Sequence, residues 1–117
     1  MKTDNIIEDK SFNFAIRIVN LYKFLKNKNE HIISKQLLRS GTSVGANVAE
    51  GIQGQSKKDF VSKLSIALKE TNETKYWIRL LIATDYLEQK LGENLLFDLE
   101  EIIKILVAIL KTSRKEM

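Results

Sequence analysis

Residues 39–51 read Arg39-Ser-Gly-Thr-Ser-Val-Gly-Ala-Asn-Val-Ala-Glu-Gly51, and this stretch admits two readings that lead to different proteins. Gly41-Thr-Ser-Val-Gly45 fits the nucleophile elbow G-x-S-x-G, which sets a serine on a strained turn between a strand and a helix. It equally fits G-x-x-x-G, in which glycines one helical turn apart let a second helix come close. The elbow requires a preceding strand and, in hydrolase order, an acid and then a histidine after the serine. His31 is the only histidine and precedes Ser43. Twelve residues of helix would hold the two about 18 Å apart. No G-K-S/T follows Gly45, so a phosphate loop is excluded as well. The helical reading is left, and the rest of the chain agrees with it.

Ile33, Leu37, Gly41, Val44 and Val48 recur at helical spacing and predict a long second helix after the polar break Lys26–Asn29. Upstream, one stripe of Phe12, Ala15, Ile16, Val19 and Tyr22 adjoins another of Phe14, Ile18, Leu21 and Leu25, predicting a first helix from about Lys10 to Leu25. Gly51-Ile-Gln-Gly54-Gln reads as a turn, closed by Ser56 as an N-cap with Asp59 three residues on. The third helix then carries Phe60, Leu64, Ala67, Leu68, Thr71, Lys75, Ile78 and Leu81 or Ile82 on one face and Ile66, Glu73, Trp77, Leu80, Thr84 and Leu87 on a second, which calls for two packing partners. Gly92 reads as a C-terminal stop, with the last helix opening at Glu93 or Asn94 and ending in the basic run up to Lys115. Proline is absent and glycine occurs only at 41, 45, 51, 54 and 92, which removes most loop punctuation. The expectation is an all-α, antiparallel up-down-up-down four-helix bundle, one domain over residues 1–117.

Composition narrows the function. At 44% hydrophobic and 29% charged residues the chain can fill one core. With no cysteine it has no disulfide, thiolate metal site or cysteine nucleophile, and no E-x-x-H pair marks a di-metal bundle. No metal, cofactor or catalytic residue is expected. Lacking a signal-like or membrane-length apolar run, it reads as cytoplasmic. The net charge of +4 is unevenly spread: Asp85, Glu88, Glu93, Asp98, Glu100 and Glu101 crowd one region against Lys90 alone. In an up-down-up-down bundle the termini and second connection share an end, and that end gathers Lys2, Lys10, Lys57, Lys58, Lys111, Arg114 and Lys115, diluted by Asp4, Glu8, Asp9, Asp59 and Glu116. Lys57, Lys58, Lys63, Lys111, Arg114 and Lys115 are the candidate phosphate contacts.

Within residues 39–51 the small and polar residues are poor helix formers, about 3 to 5 kcal/mol worse together than alanine or leucine. Packing must offset that. Gly41 and Gly45 with Ala46 and Ala49 form a close-approach surface, while Gln36, Ser40, Ser43, Asn47 and Glu50 repeat at spacings of four and three as a polar seam. The seam is either solvated or a contact in which Asn47 and Glu50 meet Lys69, Arg79 or a neighbouring copy's Arg39.

Gln36–Gly51, Q-L-L-R-S-G-T-S-V-G-A-N-V-A-E-G, followed by Q-S-K-K-D-F at Gln55–Phe60 and L-S-I-A-L-K-E-T-N-E-T at Leu64–Thr74, resembles the proteins of intervening sequences in bacterial 23S ribosomal RNA genes. The likeness begins near F-N-F-A-I-R-I, Phe12–Ile18, and weakens in the fourth helix. It extends to the accessory variability proteins of diversity-generating retroelements. The resemblance implies a bundle that assembles as a ring-like homopentamer, with no enzymatic activity. It implies signature positions at Arg39, Asn47, Glu50 and Gly51, and with Gly41, Ser43 and Gly45 these are expected to serve packing and assembly. The functional expectation is a non-enzymatic, oligomeric module that binds nucleic acid, RNA foremost, through its basic surface. The alternative is a scaffold that docks a partner protein through the seam or the acidic end.

Overall fold

The computed structural model describes residues 2–116, with side chains from Ile6 to Glu116. Four helices, α1 (Lys2–Asn27), α2 (Ile33–Ile52), α3 (Lys57–Ala83) and α4 (Gln89–Lys115), are joined by short turns. Each packs on its neighbours in sequence, and α1 meets α4 to close the bundle; the diagonal pairs do not adjoin. Cross-helix contacts fix the directions: Ile18 lies against Gly41 and Ser11 against Gly45, so α1 and α2 are antiparallel. Lys75 pairs with Glu100 and Arg114 with Ser65, so α3 and α4 are too. The result is a rod of 46 × 21 × 19 Å.

Helical periodicity selects the core. Phe14, Ile18 and Leu25 from α1 meet Leu37, Val44 and Val48 from α2, with Leu64 and Ile78 of α3 and Leu99, Ile102 and Leu106 of α4 closing around them. Each such side chain contributes about 1.5 to 3 kcal/mol by leaving water. Of the two stripes on α1, only the one through Phe14 and Ile18 is buried; the one through Phe12 and Ile16 faces outward. On α3 the Leu64–Ile78 face is buried, and Ile66 of the second face is exposed.

The structure shifts three boundaries. α1 begins at Lys2, well before Lys10, because Ile7 and Ser11 carry the buried stripe further toward the N-terminus than the polar sequence suggested. Gly51 lies in the last turn of α2 and not in the following connection, buried against Leu64. Gly92 is no helix stop: α4 has already begun at Gln89, and a Cβ on Gly92 would stand 2.4 Å from Ile82 Cδ1. Left-handed backbone occurs at Asn29 (φ 65°), inside the polar break the sequence marks, and at Asp85 (φ 66°), which makes the α3–α4 reversal assigned to Gly92; both are residue types that tolerate it.

Two caps set helix starts. Ser56 accepts from Asp59 N–H at 3.0 Å, as its spacing predicted. The start of α2 is held by Glu30, which the sequence reading passed over. Its carboxylate accepts from the backbone N–H of Ile32 (3.3 Å), Ile33 (3.1 Å) and Ser34 (2.6 Å), satisfying donors that would lack partners in a helix's first turn. Burial alone would raise the Glu30 pKa. The backbone donors of Ser34, Ile33 and Ile32, joined by the Ser34 hydroxyl, outweigh it and leave the pKa lowered.

Candidate functional site

α2 presents two edges to two different helices, and the residues singled out in the sequence divide between them. Gly41 and Gly45 face α1. A Cβ on Gly41 would come within 2.9 Å of the Ile18 side chain, and one on Gly45 within 3.1 Å of the Ser11 carbonyl oxygen, so Gly41 admits a core side chain and Gly45 lets the two helix backbones approach. The polar seam faces α3 of the same chain. Thr74 Oγ1 donates to Ser40 Oγ at 3.0 Å, with both residues fully buried. Glu50 pairs with Lys63 at 3.2 Å, and not with Lys69, Arg79 or a neighbour's Arg39. Asn47 Nδ2 donates to the Ser43 carbonyl at 2.8 Å, and Ser43 Oγ to the Arg39 carbonyl at 2.6 Å. Ser43 is thereby a helix residue whose hydroxyl is already engaged by its own backbone.

Arg39 reaches across to α3. Its guanidinium donates to Glu70 Oε2 at 2.9 Å and to Glu73, whose carboxylate also accepts from Trp77 Nε1 at 3.0 Å. Hydrogen bonding to Glu70 first and Glu73 second raises the Arg39 pKa. The Trp77 donor first and Arg39 second lower that of Glu73. With the Arg39 side chain 50% exposed, screening leaves such a pair worth about 1 kcal/mol or less. The pair links α2 to α3.

The basic candidates lie at the termini end. Lys111, Arg114 and Lys115 surround a groove of about 480 Å³ between α3 and α4, floored by Leu68, Val107 and Leu110. Arg114 is positioned by donating to Ser65 Oγ at 2.9 Å. Lys57 stands at the same end but pairs with Glu116 at 2.7 Å, while Lys58 is exposed. Lys63 is not brought into this group: it points to the opposite flank of α3 and pairs with Glu50. Lys104 was missed. It shares the exposed outer face of α4 with Lys111 and Lys115, at a spacing of seven and then four that the sequence displays. Among the described residues Lys58, Lys104, Lys111 and Lys115 have no carboxylate within 4 Å. Lys2 and Asp4, part of the charge argument, fall outside the described side chains.

The described residues hold no group of three or more His, Cys, Asp or Glu able to bind a metal, and His31 is exposed. No described helix is long and apolar enough to cross a membrane. The arrangement therefore offers fixed positive charge beside apolar surface, and a helix joint tuned for close contact.

No curated protein matches the chain. A crystal structure of a protein of unknown function from the S23 ribosomal protein family of Bacteroides thetaiotaomicron has the same fold, with a TM-score of 0.91. It is 55% identical in sequence, over 93% of this chain and 98% of that one. The family model described as 23S rRNA-intervening sequence protein matches residues 3–108, from the start of α1 into the C-terminal half of α4. By that match and by the likeness in fold and sequence, the chain belongs to the 23S rRNA-intervening sequence protein family.

Proposed function

We propose that the protein binds nucleic acid, RNA foremost, as a homo-oligomer that multiplies the charge of a weakly basic protomer. The observation that carries this reading is the groove between α3 and α4, where Lys111, Arg114 and Lys115 rim the apolar surface of Leu68, Val107 and Leu110. Lys104 extends the basic face along α4. The family is named for intervening sequences of 23S rRNA, which makes RNA the first ligand to test. A protomer of net charge +4 neutralises few phosphates. Five copies, the number the family resemblance implies, bring the total to about +20 and place several basic grooves on one strand. Nothing in the groove stacks bases as an aromatic platform would, so binding should tolerate sequence and depend steeply on salt.

The test is RNA affinity measured against salt concentration for the wild type and for Lys111→Glu/Arg114→Glu/Lys115→Glu. The wild type should bind a structured RNA at low salt and lose at least tenfold in affinity on going from about 50 to 200 mM salt. The triple variant should fail to bind at either. Salt-independent binding, or full affinity in the variant, would exclude the groove. The acidic end offers a second reading, docking of a protein partner, for which Asp85, Glu88 and Glu93 are exposed. Reversing these charges would abolish capture of a partner while leaving RNA binding intact.

A further inference from the structure

At the end of the rod where α3 begins and α4 ends, the turn after α2 borders a cavity of about 520 Å³. Its size lies in the range of small-molecule sites. Because α3 and α4 are antiparallel, both change character in the same direction along it. On α4 the lining runs from Ala108 and Ile109 through Ser113 to Glu116, and on α3 from Phe60 to Lys57. Ile52 of α2 adds apolar surface. The cavity is thus apolar toward the middle of the bundle and polar at its rim, a layout that suits a molecule with an apolar body and one charged head.

The polar groups give the sign of that head. Ser113 is 5% exposed, and among the described residues it is the one buried hydroxyl without a hydrogen-bond partner. Ser11, Ser34, Ser40, Thr71 and Thr74 all donate to a backbone carbonyl. No fully enclosed side-chain oxygen or nitrogen of the described residues lacks a partner, so the Ser113 hydroxyl is reached from the cavity it lines. At the start of α3 the Ser56 side chain accepts from Asp59 N–H and the Ser56 carbonyl from Phe60 N–H. Among the described residues this leaves the backbone N–H groups of Lys57 and Lys58 unused at the positive end of the helix. Lys57 Nζ adds a full charge and already holds a carboxylate there, that of Glu116 at 2.7 Å. With both side chains about half exposed, this pair is weak and open to exchange. A ligand carboxylate that takes the place of Glu116 on Lys57 repeats chemistry the chain displays, whereas a phosphate dianion would meet stronger repulsion from Glu116.

We propose that this cavity binds a fatty-acid-like carboxylate, its chain against Phe60, Ala108 and Ile109 and its head accepting from the Ser113 hydroxyl and from Lys57 Nζ in place of Glu116. The groove of Lys111, Arg114 and Lys115 takes no part, so the inference stands or falls apart from the nucleic-acid reading. It is tested by calorimetric titration with decanoate, below its micelle concentration, and with decylamine, which has the same chain and a cationic head. Lys57, Ala108 and Glu116 are exposed, so substitutions there leave the core intact, and melting curves verify the fold of each variant. The wild type should bind decanoate saturably and at least tenfold more tightly than decylamine. Lys57→Gln should weaken decanoate binding about tenfold, the loss of one charge-assisted hydrogen bond. Glu116→Gln should tighten it several-fold by freeing Lys57. Ser113→Ala should weaken it several-fold without lowering the melting temperature, because the hydroxyl has no bond among the described residues to lose. Ala108→Trp fills the cavity and should abolish binding. A wild type that takes up no decanoate or binds decylamine equally well, Lys57→Gln and Glu116→Gln variants that both keep wild-type affinity, or an Ala108→Trp variant that still binds would each overturn the proposal.

Discussion

At the scale of single residues, the most consequential side chain is one that carries no chemistry. Glu30 gathers three backbone donors at the start of α2 while nearly buried. Glu30→Ala should cost about 1 to 2 kcal/mol, the upper range for loss of a cap, read by urea unfolding at pH 7. The sign of its pH dependence follows from the lowered pKa. The contribution is complete above the unfolded carboxylate value of about 4.3, and is lost as pH falls through the lower folded value. The stability gap between wild type and Glu30→Ala should therefore be widest above about pH 5 and close in acid. The Thr74–Ser40 contact predicts a smaller effect. Thr74→Val keeps the shape and removes a hydroxyl that bonds both Ser40 Oγ and the Glu70 carbonyl oxygen (2.7 Å), so it should cost about 1 kcal/mol in the same assay, with the fold intact.

At the scale of elements, α2 is held by a glycine edge on one side and a hydrogen-bonded edge on the other. Gly41→Leu would drive a side chain into Ile18 and should destabilise the bundle by about 2 to 3 kcal/mol, measured by thermal or denaturant unfolding, despite the better helix propensity of leucine. The close-packing role of Gly41 and Gly45 was legible because small residues at helical spacing have few other uses. So was the Ser56 cap, whose signal is local. The true starts of α1 and α4 were not, for opposite reasons. Near Ile7 the burial comes from other helices and leaves little trace in a polar segment. At Gly92 the residue that usually ends a helix is there to admit Ile82. Glu30 was illegible because its partners are backbone groups, which every sequence supplies. The Glu50–Lys63 pairing was missed because periodicity gives the face of a residue but not its height on the opposite helix.

For the whole molecule, charge and shape act together. Lys104 shares the outer face of α4 with Lys111 and Lys115, so Lys104→Glu should weaken RNA binding at low salt, by filter or fluorescence titration, and lessen its dependence on salt. The segment at the glycine edge carries a further consequence for how the bundle comes together. Residues 39–51 are helical against their own preference, held in that form by α1 on one side and α3 on the other. A free peptide spanning residues 33–52 should then be largely unstructured in water, where one spanning α4, rich in leucine, lysine and glutamate, retains measurable helix. α2 has no independent existence as a helix, so cutting away α1 would not leave a three-helix remnant: it would unravel the helix beside it.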